Sequence, residues 1–192
     1  SAPPPSIPAP TSDAHVEVAS EPLFFWEAES SAGERACLSN YFQPVNFVDP
    51  ELPGSFSSSE QYMMYAKAMA FGDMDRAKAI RAESRPSRCR ALGRSVRGFD
   101  AGTWDEMAQR VVERGVFFKF SQNPHLRRFL LSTGSRELVE ASPSDAIWGI
   151  GLSASDAPNV PRCEWGTNWL GLVLMRVRAR LYGQDQGLTP PE

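Results

Sequence analysis

Glu60 and Lys67 are the first residues in this sequence whose types and spacing suggest chemistry. They are seven positions apart in the run SSSEQYMMYAKAMAF, which places them on one face of a helix, about 10 Å apart along its axis. A capping acid and a solvated lysine would give the same pattern. The rest of the run is mostly apolar, however, so the helix should be buried on most sides and its charges should face something specific. A buried amine can lose its proton and act as a nucleophile, and a carboxyl can act as a general acid or base.

A second group of candidates lies in the segment LVEASPSDAIWGIG. Glu140 and Asp145 flank a Ser-Pro turn there, and Trp148 and Gly149 follow. Two carboxyls can supply an acid and a base, an indole can stack on a planar ligand, and glycine lets the backbone approach a ligand closely. An ordinary turn with a core tryptophan has the same composition. We interpret the segment as a loop of the site, and we expect Trp148 and Tyr62 at the pocket.

Basic side chains supply candidates for phosphate binding. One cluster contains Arg81, Arg85, Arg88, Arg90, Arg94 and Arg97. Most of these are expected at the solvated surface, and we single out Arg94 because Gly93 frees the backbone beside it. Lys119 lies among phenylalanines in FFKF, where it can extend to water or point at a phosphate or carboxylate.

Composition and charge exclude several classes of protein. The chain has 192 residues, 42% of them hydrophobic and 22% charged, which fits one globular domain. A net charge of −3 argues against non-specific coating of nucleic acid and leaves a nucleotide-sized ligand. Two histidines and three separated cysteines argue against a metal site, a Ser-His-Asp triad and a disulfide framework. We therefore expect no metal, no cofactor, no membrane partner and a cytoplasmic or nuclear location.

Helices must position most of the candidate residues. Ser57 and Glu60 form a capping box, which predicts the start of the helix that carries Lys67. Other helices are predicted at 73–82, 88–96, 104–120, 125–132 and, between an Asn168 cap and a Gly183 stop, at 169–182, with strands at 23–26 and 138–141. Residues 1–20 are a tail rich in Pro, Ala and Ser, and 184–192 form a C-terminal tail. The prediction is one predominantly α-helical α+β domain over 21–183, with a few short strands.

Taken in order, these segments resemble the NADAR (YbiA-like) family from about Phe24 to Leu181. The matching segments are 38–42, 59–62 with Lys67, 92–94, Trp104, 119–120, 130–134, 139–140, Asp145 with 148–151, and Asn168 with Gly171. The resemblance implies the YbiA-like fold and a set of site residues. The catalytic candidates are Lys67, Glu60 and Asp145. The substrate-binding candidates are Asn40, Tyr62, Arg94, Trp104, Lys119, Glu140, Trp148, Gly149 and Asn168.

The resemblance also implies an activity, the hydrolysis of an N-glycosidic bond between ribose and a base. The substrate we expect is ADP-ribosylated guanine, either as a nucleoside or within DNA or RNA. The alternative substrates are ribosylaminopyrimidine phosphates of riboflavin synthesis. A different class of protein, a module that binds ADP-ribose or NAD without cleaving it, would use the same pocket.

Two mechanisms fit the residues. Breaking a ribosyl C–N bond develops positive charge at the anomeric carbon, so the site needs an anion or a nucleophile there and a proton for the leaving base. In the first, neutral Lys67 attacks the anomeric carbon and forms a Schiff base, while Glu60 or Asp145 transfers protons. In the second, a carboxylate activates water and Lys67 binds phosphate. We favour the first, because an amine on a nearly apolar helix is a poor choice for simple charge pairing.

Overall fold

The computed structural model describes residues 21–187. The six α-helices found there are α1 (Ser59–Ala70), α2 (Met74–Ala82), α3 (Pro86–Arg94), α4 (Ala101–Gln122), α5 (Pro124–Ser132) and α6 (Trp169–Asp185). Four short strands accompany them: β1 (Leu23–Phe25), β2 (Phe47–Val48), β3 (Ser55–Phe56) and β4 (Leu138–Glu140). Short 3-10 segments lie at Ser30–Leu38, Ala157–Asn159 and Arg162–Glu164. This confirms the predicted predominantly helical α+β class.

Side-chain caps fix where the helices begin. The Ser58 hydroxyl accepts a hydrogen bond from the Gln61 amide, while the Ser57 amide donates to the side chain of Gln61. The capping pair is therefore Ser58 and Gln61, one residue later than the predicted Ser57 and Glu60. This correction matters for the site, because it leaves the Glu60 carboxyl free of any capping duty.

The site helix α1 lies at the centre of the packing. It contacts α2, α3 and α4, and α4 in turn packs along α6. Burial on several sides explains why α1 is nearly all apolar, as a helix in such a position must be. The glycine of α3, Gly93, lets α3 approach α1 closely, because a side-chain carbon at that position would overlap the Met64 sulfur.

Two separate pairs of strands complete the domain. β1 and β4 are parallel, with Phe25 aligned with Glu140, and α6 contacts β4. β2 and β3 form an antiparallel pair. This second pair is tied to the helices by Asp49, which accepts hydrogen bonds from Tyr62 of α1 and Arg114 of α4.

The ends of the chain differ in part from the prediction. The last helix continues past Gly183 to Asp185, so Gly183 is not its stop. The predicted tail at 1–20 lies outside the described residues, as do 188–192 of the predicted C-terminal tail. No helix within 21–187 is long and apolar enough to cross a membrane.

Candidate functional site

A cavity of about 350 Å³ opens between α1, α3, the start of α4 and the segment that follows β4. Its lining residues are Trp26, Ser39, Asn40, Tyr41, Glu60, Met63, Met64, Lys67, Arg90, Arg94, Trp104, Glu140, Ser142, Ser144, Asp145 and Trp148. A volume of this order holds a small organic ligand. The structure thus brings Glu60, Lys67 and Asp145, which are far apart in sequence, to one cavity. Asn40, Arg94, Trp104, Glu140 and Trp148 line it as well.

Two carboxyl groups of the cavity are buried enough to hold their protons. Burial raises the pKa of Glu60 to about 7, and the Asp145 carboxyl adds to the effect against the opposing guanidinium of Arg90. Burial also raises the pKa of Glu140 to about 8, with further contributions from Asp145 and Glu60. The Glu140 Oε2 atom is buried without a hydrogen-bond partner among residues 21–187. Near neutral pH these groups can donate protons.

The third carboxyl, Asp145, is held by its own loop. Its Oδ1 accepts 2.9 Å hydrogen bonds from the amides of Ile147 and Trp148, and its Oδ2 lies 3.8 Å from Arg90. A carboxylate with these partners is an acceptor with a fixed direction. Its negative charge disfavours ionisation of Glu60 and Glu140, so Asp145 helps to keep both of them protonated.

Gly149, a predicted binding residue, holds this loop instead of lining the cavity. A side-chain carbon there would lie 2.6 Å from the Glu140 carbonyl oxygen and 2.9 Å from that of Asp145. The Ile150 amide donates to the same Glu140 carbonyl. The glycine is therefore needed for the close approach of the loop to β4, the two segments whose Glu140 and Asp145 side chains line the cavity.

Lys67 lies at the other end of the α1 face that carries Glu60. Its Nζ atom is 3.8 Å from the centre of the Phe99 ring and 5.7 Å from that of Trp104. Burial lowers the pKa of this amine, while the Glu60 carboxylate acts in the opposite direction. Burial therefore makes the neutral amine more accessible than it would be in water.

Arg90 and Tyr41 are cavity residues that the sequence reasoning missed. Arg90 was placed with the solvated arginines, yet its Nη1 atom donates to the Tyr41 hydroxyl and its Nη2 atom faces Asp145. The signal was present, because Arg90 is four residues before Arg94 on α3 and so shares its helix face. Both guanidinium groups line the cavity, where they can bind an anionic part of a ligand.

Tyr62 is not at the pocket, which corrects the prediction. Its side chain is 2% exposed, donates a 2.7 Å hydrogen bond to Asp49 and packs edge-on against Phe56. A residue two positions from Glu60 lies roughly 200° around the helix, so the two side chains point to opposite sides. The Tyr62 ring therefore joins α1 to the β2–β3 pair.

Lys119 is also removed from the cavity. It is 1% exposed, and its ammonium donates a 2.9 Å hydrogen bond to the carbonyl of Ser39. Burial lowers the pKa of Lys119 to about 8. Instead of binding a ligand, Lys119 supports the Ser39 backbone behind Asn40, whose side-chain oxygen is buried without a hydrogen-bond partner in the described part of the chain.

Asn168 holds β4 and does not line the cavity. Its side-chain amide donates to the Leu138 carbonyl and accepts from the Glu140 amide, both at 2.9 Å. The residue has a left-handed backbone conformation, with φ of 51°, and its side chain makes no capping hydrogen bond to α6. Asn168 thus positions Glu140 through the backbone, which explains its place among the candidate residues without any contact to a ligand.

Trp148 forms part of the cavity wall, and its ring meets Trp169 edge-on at a centroid distance of 5.5 Å. Trp104, 7% exposed, lies near Lys67. Within residues 21–187, no group of three or more His, Cys, Asp or Glu side chains is arranged to hold a metal ion. The charged and titratable groups of this cavity include two carboxyls with raised pKa values, the Asp145 carboxyl, an amine and two guanidinium groups.

The fold and the cavity together define a one-domain α+β protein whose buried carboxyls and amine face a common space. The chain belongs to the NADAR family, since the NADAR domain matches residues 24–182. N-glycosidase R617 of Acanthamoeba polyphaga mimivirus is 45% identical over 160 residues, covering 81% of this chain and 94% of that protein.

A second relative and one solved structure are also similar to this chain. Riboflavin biosynthesis protein PYRR of Zea mays is 30% identical over 152 residues, covering 74% of this chain but 23% of the maize protein. The NMR structure of the E. coli protein YbiA matches with a TM-score of 0.69 at 24% identity, over 88% of this chain and 90% of that one. This likeness confirms the expected YbiA-like fold.

Proposed function

We propose that this protein is an N-glycosidase that hydrolyses the C–N bond between a ribose and a nitrogenous base. The observation that carries the proposal is the cavity in which Glu60 and Glu140, both with raised pKa values, share the lining with Lys67. Cleavage of an N-glycoside needs a proton for the departing base and a nucleophile or anion at the anomeric carbon, where positive charge develops. The name of the 45% identical mimivirus relative, an N-glycosidase, supports the same class of enzyme.

In the mechanism that we favour, Lys67 is the nucleophile. Its neutral amine forms a bond to the anomeric carbon as the C–N bond to the base breaks, and Glu60 gives its proton to the leaving base. The ring oxygen then leaves the same carbon and takes one proton from the attacking nitrogen, so that the ribose opens to a protonated Schiff base with Lys67. Water adds to this imine, expulsion of the lysine amine releases the sugar as its aldehyde, and the proton set free returns to Glu60.

The second mechanism assigns the same residues differently. A carboxylate removes a proton from water, the water oxygen attacks the anomeric carbon, and a second carboxyl protonates the base. Lys67 then only pairs with a phosphate. The burial of Lys67, which lowers the pKa of its amine, favours the first mechanism, because a partly desolvated amine offers little to a simple phosphate site.

For the substrate we propose ADP-ribosylated guanine. Arg90 and Arg94 lie one helical turn apart on the cavity wall, and two guanidinium groups suit a pyrophosphate better than a single phosphate. Trp148 offers an aromatic ring for the base. The second candidate substrates, ribosylaminopyrimidine phosphates, are favoured by the name of the maize relative, a riboflavin biosynthesis protein.

The test is to incubate the purified protein with ADP-ribosylated guanosine and, separately, with ribosylaminopyrimidine phosphates, and to measure free base by chromatography. Release of guanine supports the proposed substrate, and release of the pyrimidine supports the second one. Binding of ADP-ribose without release of any base would overturn the enzyme proposal in favour of a sensor module.

Lysine variants separate the two mechanisms. Lys67→Arg keeps the positive charge but has no amine that becomes neutral, so turnover should vanish while ligand binding survives. Borohydride added during turnover should trap a covalent adduct on the wild type and none on Lys67→Ala. Lys78→Arg, at an exposed position of α2, is the matched control and should behave as the wild type. An active Lys67→Arg variant together with an untrapped wild type would refute the Schiff base.

A further inference from the structure

The Lys67 ammonium makes its main contact with an aromatic ring and not with a carboxylate. The Phe99 ring lies 3.8 Å from the Nζ atom, and Lys67 takes part in none of the salt bridges found within residues 21–187. Phe99 is 45% exposed, whereas Trp104, the second ring near the amine, is buried. Of the two rings, Phe99 is therefore both the nearer to the amine and the more exposed to solvent.

Phe99 is held in this position by its own neighbours. Its ring meets the Phe71 ring edge-on, with a centroid distance of 5.3 Å. Phe71 directly follows α1, so it is attached to the helix that carries Lys67. The preceding Gly98 has a φ of 71°, a backbone conformation that favours glycine and turns the chain just before Phe99. An exposed phenylalanine with these supports is oriented by the fold.

We infer that Phe99 is a positioning residue for Lys67. The Phe99 ring holds the ammonium form of Lys67 beside the cavity, and the amine must leave the ring before it attacks the anomeric carbon. The face of an aromatic ring attracts a cation and has no comparable attraction for a neutral amine. An attacking lysine has to be neutral. The ring thus stabilises the resting form of the side chain and limits the supply of its reactive form. This inference rests on the proposed role of Lys67 as the nucleophile.

Other charged and titratable groups line the same cavity as this amine, and the experiment must hold them constant. They come from α1 (Glu60), α3 (Arg90 and Arg94), the segment before β2 (Tyr41), and β4 with its following loop (Glu140 and Asp145). None of them is changed by a substitution at Phe99. The Glu60 carboxylate favours the ammonium as the ring does, so a substitution at Phe99 isolates the contribution of the ring.

The experiment measures how fast acetic anhydride, which reacts with neutral amines, labels Lys67 across a range of pH without substrate. Peptide mass spectrometry quantifies the label in the wild type, Phe99→Leu and Phe99→Tyr. Leucine keeps an apolar side chain over the amine but has no ring, and tyrosine keeps the ring. Phe117→Leu is the matched control, because it removes a ring that lies 3.8 Å from the guanidinium of Arg180, away from the residues that line the cavity.

Loss of the ring should increase the labelling rate of Lys67 in Phe99→Leu by about two- to fivefold at pH values where the ammonium dominates, with the same plateau at alkaline pH. Phe99→Tyr and Phe117→Leu should match the wild type. The inference is overturned if the labelling rate of Lys67 depends on pH in Phe99→Leu as it does in the wild type. A higher labelling rate at the alkaline plateau without a change in this pH dependence would also overturn it, because that result reports only greater exposure of the amine. Because no substrate is used, these results stand apart from the borohydride test of the nucleophile itself.

Discussion

Glu60→Gln replaces the buried carboxyl of the site with an amide of nearly the same shape, and it should stabilise the protein at alkaline pH. Burial, together with Asp145, raises the pKa of Glu60 from 4.5 to about 7 in the folded protein, while the unfolded chain ionises near the ordinary value. The folded protein therefore keeps a proton that the unfolded chain releases, and its stability falls as the pH rises between these two values. One pKa unit corresponds to about 1.4 kcal/mol, so the loss in the wild type reaches about 3 kcal/mol.

This loss is large for a small domain, whose total stability is about 5–15 kcal/mol. Glutamine has no such proton, so the free energy of unfolding of Glu60→Gln relative to the wild type should increase by about 3 kcal/mol between pH of about 4.5 and about 8. Turnover should be lost in the same variant, because the acid for the leaving base is missing.

Urea unfolding of both proteins over this pH range is the assay. Glu106→Gln, the same substitution at an exposed position of α4, is the control for loss of a carboxyl away from the cavity. The reasoning is refuted if the difference between Glu60→Gln and the wild type is equally large at both ends of the range. In that case the Glu60 carboxyl would ionise in the folded protein as it does in the unfolded chain.

Three further outcomes are expected. Trp148→Ala should weaken substrate binding more than it lowers the melting temperature, because the ring lines the cavity; calorimetric titration and thermal unfolding compare the two, and a larger effect on melting would contradict the assignment. Gly93→Ala should lower the free energy of unfolding by about 1–3 kcal/mol in urea, because the new methyl group overlaps Met64. The double variant with Met64→Ala should lose less stability than the two single variants lose together. Asp49→Asn should cost about 2–3 kcal/mol, because Arg114 donates two 2.6 Å hydrogen bonds to this buried carboxylate, with turnover per folded molecule unchanged.

Much of the secondary structure could be predicted because its signals are local. Asp73 and Asp100 cap α2 and α4 through their side chains, and Pro124 begins α5. The third helix was predicted at 88–96, whereas α3 begins two residues earlier, at Pro86. The start of α1 was placed one residue early because two overlapping pairs fit the capping-box pattern, and only the packing of the Glu60 side chain distinguishes them. That packing depends on residues far apart in the chain, and a single sequence does not reveal it.

The site was predictable where helix geometry decides which side chains meet. The spacing of Glu60 and Lys67 places both at the cavity, and the same geometry excludes Tyr62. Lys119 and Asn168 were misplaced for a different reason. Each supports a cavity residue through the backbone, Lys119 at Ser39 and Asn168 at Glu140, and a sequence pattern cannot distinguish contact with a ligand from support of a neighbouring residue.

The Asn168 side chain has one more consequence, for self-association. Among residues 21–187, β4 pairs with β1 on one edge and with no strand on the other, and an exposed strand edge can pair with a second copy of the chain and begin aggregation. Here the Asn168 amide binds the Leu138 carbonyl and the Glu140 amide on the other edge, and the Ile150 amide takes the Glu140 carbonyl. The Asn168 side chain and the Ile150 amide thus occupy the hydrogen-bonding groups that a third strand would otherwise bind. The Leu138 carbonyl and the Glu140 amide and carbonyl of β4 are therefore not free to bind a neighbouring molecule.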